Sequence, residues 1–121
     1  MASAQLPPLR SIEFEILLTL AEGEHHGYAI IQAIETRADG QLRVETGTLY
    51  RALRRLLDDG LVKPSARRLA TDTSTSHNGE RRRYYAITQS GRQAAATEAT
   101  RLARLVSVAR AAKLLTKPRK A

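Results

Sequence analysis

The chain has 121 residues, enough for one domain with one modest core, and 42% of them are apolar. It carries no Cys, which excludes disulfides and thiolate chemistry and makes a reducing intracellular home the easier reading; no apolar run approaches the roughly 20 residues of a membrane span. A net charge of +8 favours a polyanionic partner, nucleic acid first and an anionic membrane surface second.

The charge is unevenly placed. Residues 1–60 hold 6 Lys/Arg and 9 Asp/Glu, a balance of −3, while residues 61–121 hold 14 and 3, a balance of +11. With no Trp and one Phe, the core has to be built from Leu, Ile, Val and Ala. The start, MASAQLPPLRSIEFE, lacks the charged n-region and apolar block of a signal peptide, so a soluble, unexported protein is expected.

Pro7 and Pro8 make residues 1–9 a poor helix and an extended arm. From Ser11 the pattern turns helical: Ile12, Ile16, Leu17 and Leu20 recur at three and four, Ser11 can cap the start, and Gly23 ends the segment. A second helix follows Gly27, where Tyr28, Ile31 and Ile34, with Ala29, Ile30 and Ala33, predict a broad buried surface. Asp39-Gly40 is a turn signal, and residues 41–44 form a short extended linker.

A third helix is predicted over 46–59, with Thr46 or Glu45 as cap and Gly60 in the left-handed position past its end. Residues 61–69 look extended, with Pro64 marking an edge or a bend. Residues 70–80 are small and polar and predict a long hairpin tip around Asn78-Gly79, from which 83–87 (RYYAI) returns as a second strand. Thr88 can cap a long Ala-rich helix running to about residue 115, before Pro118. Three helices, a two-stranded hairpin and a long helix make the fold class mainly α with a small β-hairpin: a winged helix-turn-helix over 10–88, a helix over 89–116 and a tail over 117–121.

At roughly 100° per residue, Leu49, Leu53, Leu56 and Leu57 of the third helix share one arc, with Ala52 and Tyr50 at its edges. Gly47, Thr48, Arg51, Arg54 and Arg55 occupy the opposite arc. One explanation is a solvated face with Arg54–Asp58 and Arg55–Asp59 pairs at i,i+4, although cation before acid is the weaker order and such pairs contribute only about 0.3–0.5 kcal/mol each. Arg51 has no acid at i+3 or i+4, only Arg55, and an external anion would account for it. Gly47 and Thr48 leave room for a phosphate or base edge at the helix start, and Arg51 and Arg54 stand within reach of guanine edges or phosphates in the major groove. Arg67 and Arg68 on one strand and Arg81, Arg82 and Arg83 on the other suit a duplex backbone or minor groove, or else simply solvate the loop.

Three blocks carry a resemblance: HGYAIIQAIE at 26–35, GTLYRALRRLLDDGLV at 47–62 and RRRYYAITQSGR at 81–92. With SIEFEILLTLAEG before them, the chain resembles the PadR-like (phenolic-acid-decarboxylase regulator) transcriptional regulators over roughly residues 9–95. That resemblance implies a winged-helix DNA-binding domain and a C-terminal dimerisation helix. It implies a bacterial transcription factor, usually a repressor, released by a small-molecule effector or another signal. It also places Thr48, Tyr50, Arg51 and Arg54 on or beside the recognition surface, and Tyr28 where a hydroxyl reaches a phosphate. The candidate DNA-contacting residues are thus Tyr28, Thr46, Gly47, Thr48, Tyr50, Arg51, Arg54, Arg55, Arg67, Arg68, Arg81, Arg82 and Arg83. Thr46 stands where members often have Pro, the tip is longer and more polar than is common, and the single last helix matches the family's short form.

Along the last helix Ala95, Glu98, Leu102, Leu105, Ala109 and Ala112 make a heptad-like seam that Val106 and Val108 broaden. It can pack on a second copy, on the chain's own first helix, or on both; a homodimer through Leu102, Leu105, Val106, Ala109 and Ala112 is expected, and with it an inverted-repeat operator. No effector-binding residue can be named. No enzymatic constellation is visible: His25, His26 and His77 are the only histidines, no serine or acid sits in a nucleophile or paired-carboxylate setting, and neither metal nor cofactor is expected. The expectation is a cytoplasmic regulator, nucleoid-associated while DNA-bound. The rival is a winged-helix protein-interaction module whose third helix binds an acidic partner protein.

Overall fold

The computed structural model describes residues 8–65 and 83–115. In chain order they form α1 (Ser11–Ala21), β1 (His25–His26), α2 (Gly27–Arg37), α3 (Thr46–Asp58), β2 (Val62–Pro64), β3 (Tyr84–Ile87) and α4 (Gln89–Ala111). The hairpin strands pair antiparallel as expected, Val62 opposite Ile87 and Pro64 opposite Tyr85, and Ser65 N–H adds a bond to the Tyr84 carbonyl at 2.8 Å. The other edge of β3 takes β1, His25 opposite Tyr85 and His26 opposite Tyr84, so the sheet has three strands in the order β1-β3-β2. This corrects the two-stranded expectation. A two-residue strand has no alternating pattern to read, and it exists because β3 offers an unpaired edge. The hairpin tip around Asn78-Gly79 lies outside the described residues.

The core is where the three N-terminal helices meet. Ile16, Leu17 and Leu20 of α1, Ile30, Ile31 and Ile34 of α2, and Leu49, Ala52, Leu53 and Leu56 of α3 are buried together, closed by Leu61, Val62 and Tyr85. Tyr28 does not join them; in the first turn of α2 it points outward and stays 63% exposed. Gly60, with φ +76°, ends α3 as its position suggests: Leu61 N–H donates to the Leu56 carbonyl at 2.9 Å and Gly60 N–H to that of Leu57 at 3.1 Å. The paired bonds satisfy carbonyls that the helix end would otherwise leave open, and the left-handed backbone costs glycine nothing.

Two helix starts differ from expectation. Arg10, extended at φ −79° and ψ 158°, is the residue before α1; Ser11 is already helical, and Glu13 replaces the expected cap by accepting Arg10 N–H at 2.9 Å. Neither Glu45 nor Thr46 caps α3 with a side chain, although Glu45 occupies the capping position. Thr88 caps α4 as expected, accepting Gly91 N–H at 2.9 Å while donating to the Gly60 carbonyl at 2.7 Å, which couples the end of α3 to the start of α4. Polar ties hold the helices in register: Arg37 on α2 reaches Glu15 on α1 at 2.8 Å, and Glu35 accepts Val44 N–H at 2.7 Å, fixing the linker before α3.

Helix α4 is shorter than predicted, ending at Ala111 rather than near 115. Lys113 takes the left-handed conformation at φ +65°, and Leu114 N–H closes onto the Ala109 carbonyl at 2.9 Å. A non-glycine residue in that position costs roughly 1 kcal/mol, so no glycine signal marks the stop. The seam divides. Its first part folds onto the domain, with Ala94 and Ala95 packed against the core and Glu98 buried, while Leu105, Val106 and Val108 beyond it are exposed.

Glu98 takes two bonds from Arg101, at 2.6 and 3.2 Å. That hydrogen bonding, opposed by burial and helped by the Arg101 charge and the Leu9 backbone N–H, holds its carboxyl below the ordinary glutamate range. A group with a depressed folded pKa stabilises the fold above its unfolded value and loses that contribution as pH falls through the folded one. Urea midpoints followed against pH are therefore expected to fall more steeply below about pH 4.5 in the native protein than in Glu98→Gln, which starts less stable at neutral pH.

Candidate nucleic-acid interface

Helix α3 has two faces set by its sequence. Leu49, Ala52, Leu53 and Leu56 face the core with Leu57 half-buried, leaving Thr46, Gly47, Thr48, Arg51 and Arg54 exposed along the other side. Because no side chain caps α3, its first turn presents backbone donors beside two small residues, an arrangement that favours an anion. Arg51 folds back over that turn: one guanidinium nitrogen lies 3.5 Å from Thr48 Oγ1, another 3.3 Å from where a Gly47 Cβ would stand. Arg54 has no ion pair among the described residues.

The local pairs Arg54–Asp58 and Arg55–Asp59 do not form. Arg55 instead donates from Nε to Glu13 Oε2 at 2.6 Å, across 42 residues. The choice is physical. Glu13 is only 7% exposed and needs a counter-charge, whereas an exposed aspartate gains little from one. Glu13 was missed by the sequence reading, yet it stands in the same three-and-four spacing as Ile16, Leu17 and Leu20, an acid on a buried stripe.

Tyr50 lies at the flank of this face, with its ring over Gly27. A Cβ on Gly27 would run into the Tyr50 hydroxyl and stand 2.6 Å from Cζ, so only glycine admits the contact. Tyr50, 43% exposed, therefore meets the start of α2, next to exposed Tyr28. The His26–Tyr84 pairing brings Arg83, also exposed, toward the same junction. Burial raises the Tyr85 phenol above its usual range; Tyr50 adds to the rise and the Arg83 charge opposes it. The structure thus brings Tyr28, Tyr50 and Arg83 together at the start of α2, beside the α3 face with Thr46, Gly47, Thr48, Arg51 and Arg54. Arg67, Arg68, Arg81 and Arg82 lie outside the described residues.

A family model described as the transcriptional regulator PadR-like family matches residues 16–97. The chain belongs to that family. Similar solved structures place the PadR-like chain among winged-helix proteins. A transcriptional regulator from Clostridium thermocellum shares 27% identity at a TM-score of 0.66, covering 80% of this chain and 84% of that one. A PadR family transcription regulator from Clostridium difficile R20291 shares 25% identity at a TM-score of 0.65, covering 84% and 96%. Bacillus subtilis PadR, solved in complex with operator DNA, has the same fold at 23% identity and a TM-score of 0.58, with 73% of this chain matching 47% of that one. No curated protein matches the chain. The resemblance carried by GYAI, GTLYRAL and RRRYYAIT is borne out, as is the mainly α winged helix-turn-helix class with its additional C-terminal helix. No helix among the described residues of this PadR-like chain is long and apolar enough to cross a membrane.

Proposed function

We propose that this PadR-like chain is a cytoplasmic, sequence-specific DNA-binding repressor, released from its operator by a small-molecule effector. It acts as a homodimer on an inverted repeat, with α3 in the major groove and the hairpin on the backbone or minor groove. The observation that carries the reading is the exposed α3 face, where Arg51 and Arg54 have no acidic partner among the described residues and stand beside Gly47 and Thr48 at an uncapped helix start. The operator complex of Bacillus subtilis PadR supports it, since a chain of the same fold there meets DNA. Tyr28, Tyr50 and Arg83 serve the phosphates flanking the groove, and Thr46 joins the backbone donors at the helix start. The stripe Leu102, Leu105, Val106, Ala109 and Ala112 joins the two copies.

Selection of bound duplexes from a random-sequence pool tests this reading. The expected winner is an inverted repeat with half-site centres about 34–36 Å apart or a multiple of that. Its affinity should fall steeply and linearly with salt on logarithmic axes. A pool that shows neither enrichment nor salt dependence would reject it and leave the acidic-protein partner as the reading to pursue.

A further inference from the structure

We infer that Glu13 is the positioning residue of helix α3, and that Arg55 serves Glu13 rather than a phosphate. The inference rests on the DNA-binding reading above. Among the described residues, three polar or charged side chains are buried, and Glu13 is one of them. Its two oxygens are divided between two elements: Oε1 accepts the Arg10 N–H that starts α1, at 2.9 Å, and Oε2 accepts Arg55 Nε of α3, at 2.6 Å.

The apolar contacts of Leu49, Leu53 and Leu56 hold α3 against the core without direction, and they tolerate a small slide or roll of the helix. A short charge-assisted hydrogen bond does not. Arg55 is adjacent to Arg54 and one turn beyond Arg51, so the bond to Glu13 fixes the rotation of the part of α3 that bears both of those guanidiniums. Glu13 therefore references α3 to the start of α1. A base edge read by a bidentate guanidinium demands that kind of placement; a phosphate contact, which a long side chain can adjust to, demands it less.

The test compares affinity for a selected operator and for a random duplex, each against salt, in the native protein, Glu13→Gln, Arg55→Gln and the neutral pair Glu13→Gln/Arg55→Gln. Arg55→Gln and the neutral pair are expected to keep the native salt slope while the ratio of specific to random affinity falls about ten-fold, the scale of one lost base contact. In Glu13→Gln the released Arg55 reaches the backbone, so the slope steepens by about 0.9 while the ratio also falls. A slope shallower by about 0.9 in Arg55→Gln makes Arg55 a phosphate contact and overturns the inference; an unchanged ratio in a folded Glu13→Gln does so as well, reducing the pair to a structural tie. Where a variant does not fold, the native protein decides by magnetic resonance. The Arg55 Nε–H signal keeps its shift when operator is added, while those of Arg51 and Arg54 move; an Arg55 signal that moves with them overturns the assignment. Native protein that prefers no sequence removes the DNA-binding reading itself, whereas native preference with unaltered variants removes only the role of Glu13.

Discussion

Arg51→Ala is expected to weaken binding to the specific site by about 1–3 kcal/mol, ten-fold to beyond a hundred-fold, and binding to a random duplex by much less. Arg51 is exposed, and its contact with Thr48 Oγ1, at 3.5 Å, sits at the limit of a hydrogen bond. Releasing the side chain toward a base edge therefore forfeits almost nothing in the free protein. For the same reason the substitution should leave the thermal midpoint nearly unmoved, within the roughly 0.5 kcal/mol of an ordinary surface change. Fluorescence anisotropy with a selected operator and a scrambled duplex at one salt concentration separates the possibilities. Equal losses on both duplexes would make Arg51 a backbone contact and shift base reading to Arg54 or to the turn at Gly47 and Thr48.

What the sequence made legible was what neighbours in the chain decide. The Leu49, Leu53 and Leu56 stripe set the inward face of α3, Gly60 set its end, and Thr88 set the start of α4; each signal lies within a turn of the structure it specifies. The opposite face followed from the same geometry, and Arg51 and Arg54 are exposed on it. What stayed illegible depended on distant partners. His25 and His26 become a strand because β3 returns beside them. Arg55 turns to Glu13, 42 residues away, instead of to the aspartate one turn along. Lys113 accepts a left-handed backbone that composition assigns to glycine or asparagine, and so the last helix stops early. The Glu13 signal was present as an acid on an apolar stripe, but reading it required knowing that α3 would lay an arginine there.

The largest effect on function is expected from Leu105→Glu. The face of α4 that carries Ala95 and Glu98 into the domain continues outward as Leu102, Leu105, Val106 and Ala109, and Leu105 there is 50% exposed, too apolar a stripe for a helix meant to stand in water. A second copy would bury it, and the small Ala109 and Ala112 allow the helices to approach closely. A glutamate at 105 would face its own symmetry mate across a two-fold axis, so both like-charge repulsion and desolvation oppose association. The domain itself should survive, since its core of Ile16, Leu20, Ile30, Leu49 and Leu53 lies elsewhere. Sedimentation is expected to show a folded monomer. Operator affinity should then fall by about 10²-fold or more, because each half-site loses the effective concentration supplied by the other. Binding to an isolated half-site should stay unchanged, as Arg51 and Arg54 are untouched. A variant that sediments like the native protein would move the interface off this stripe, and a monomer that kept full operator affinity would show that one copy reads the whole site.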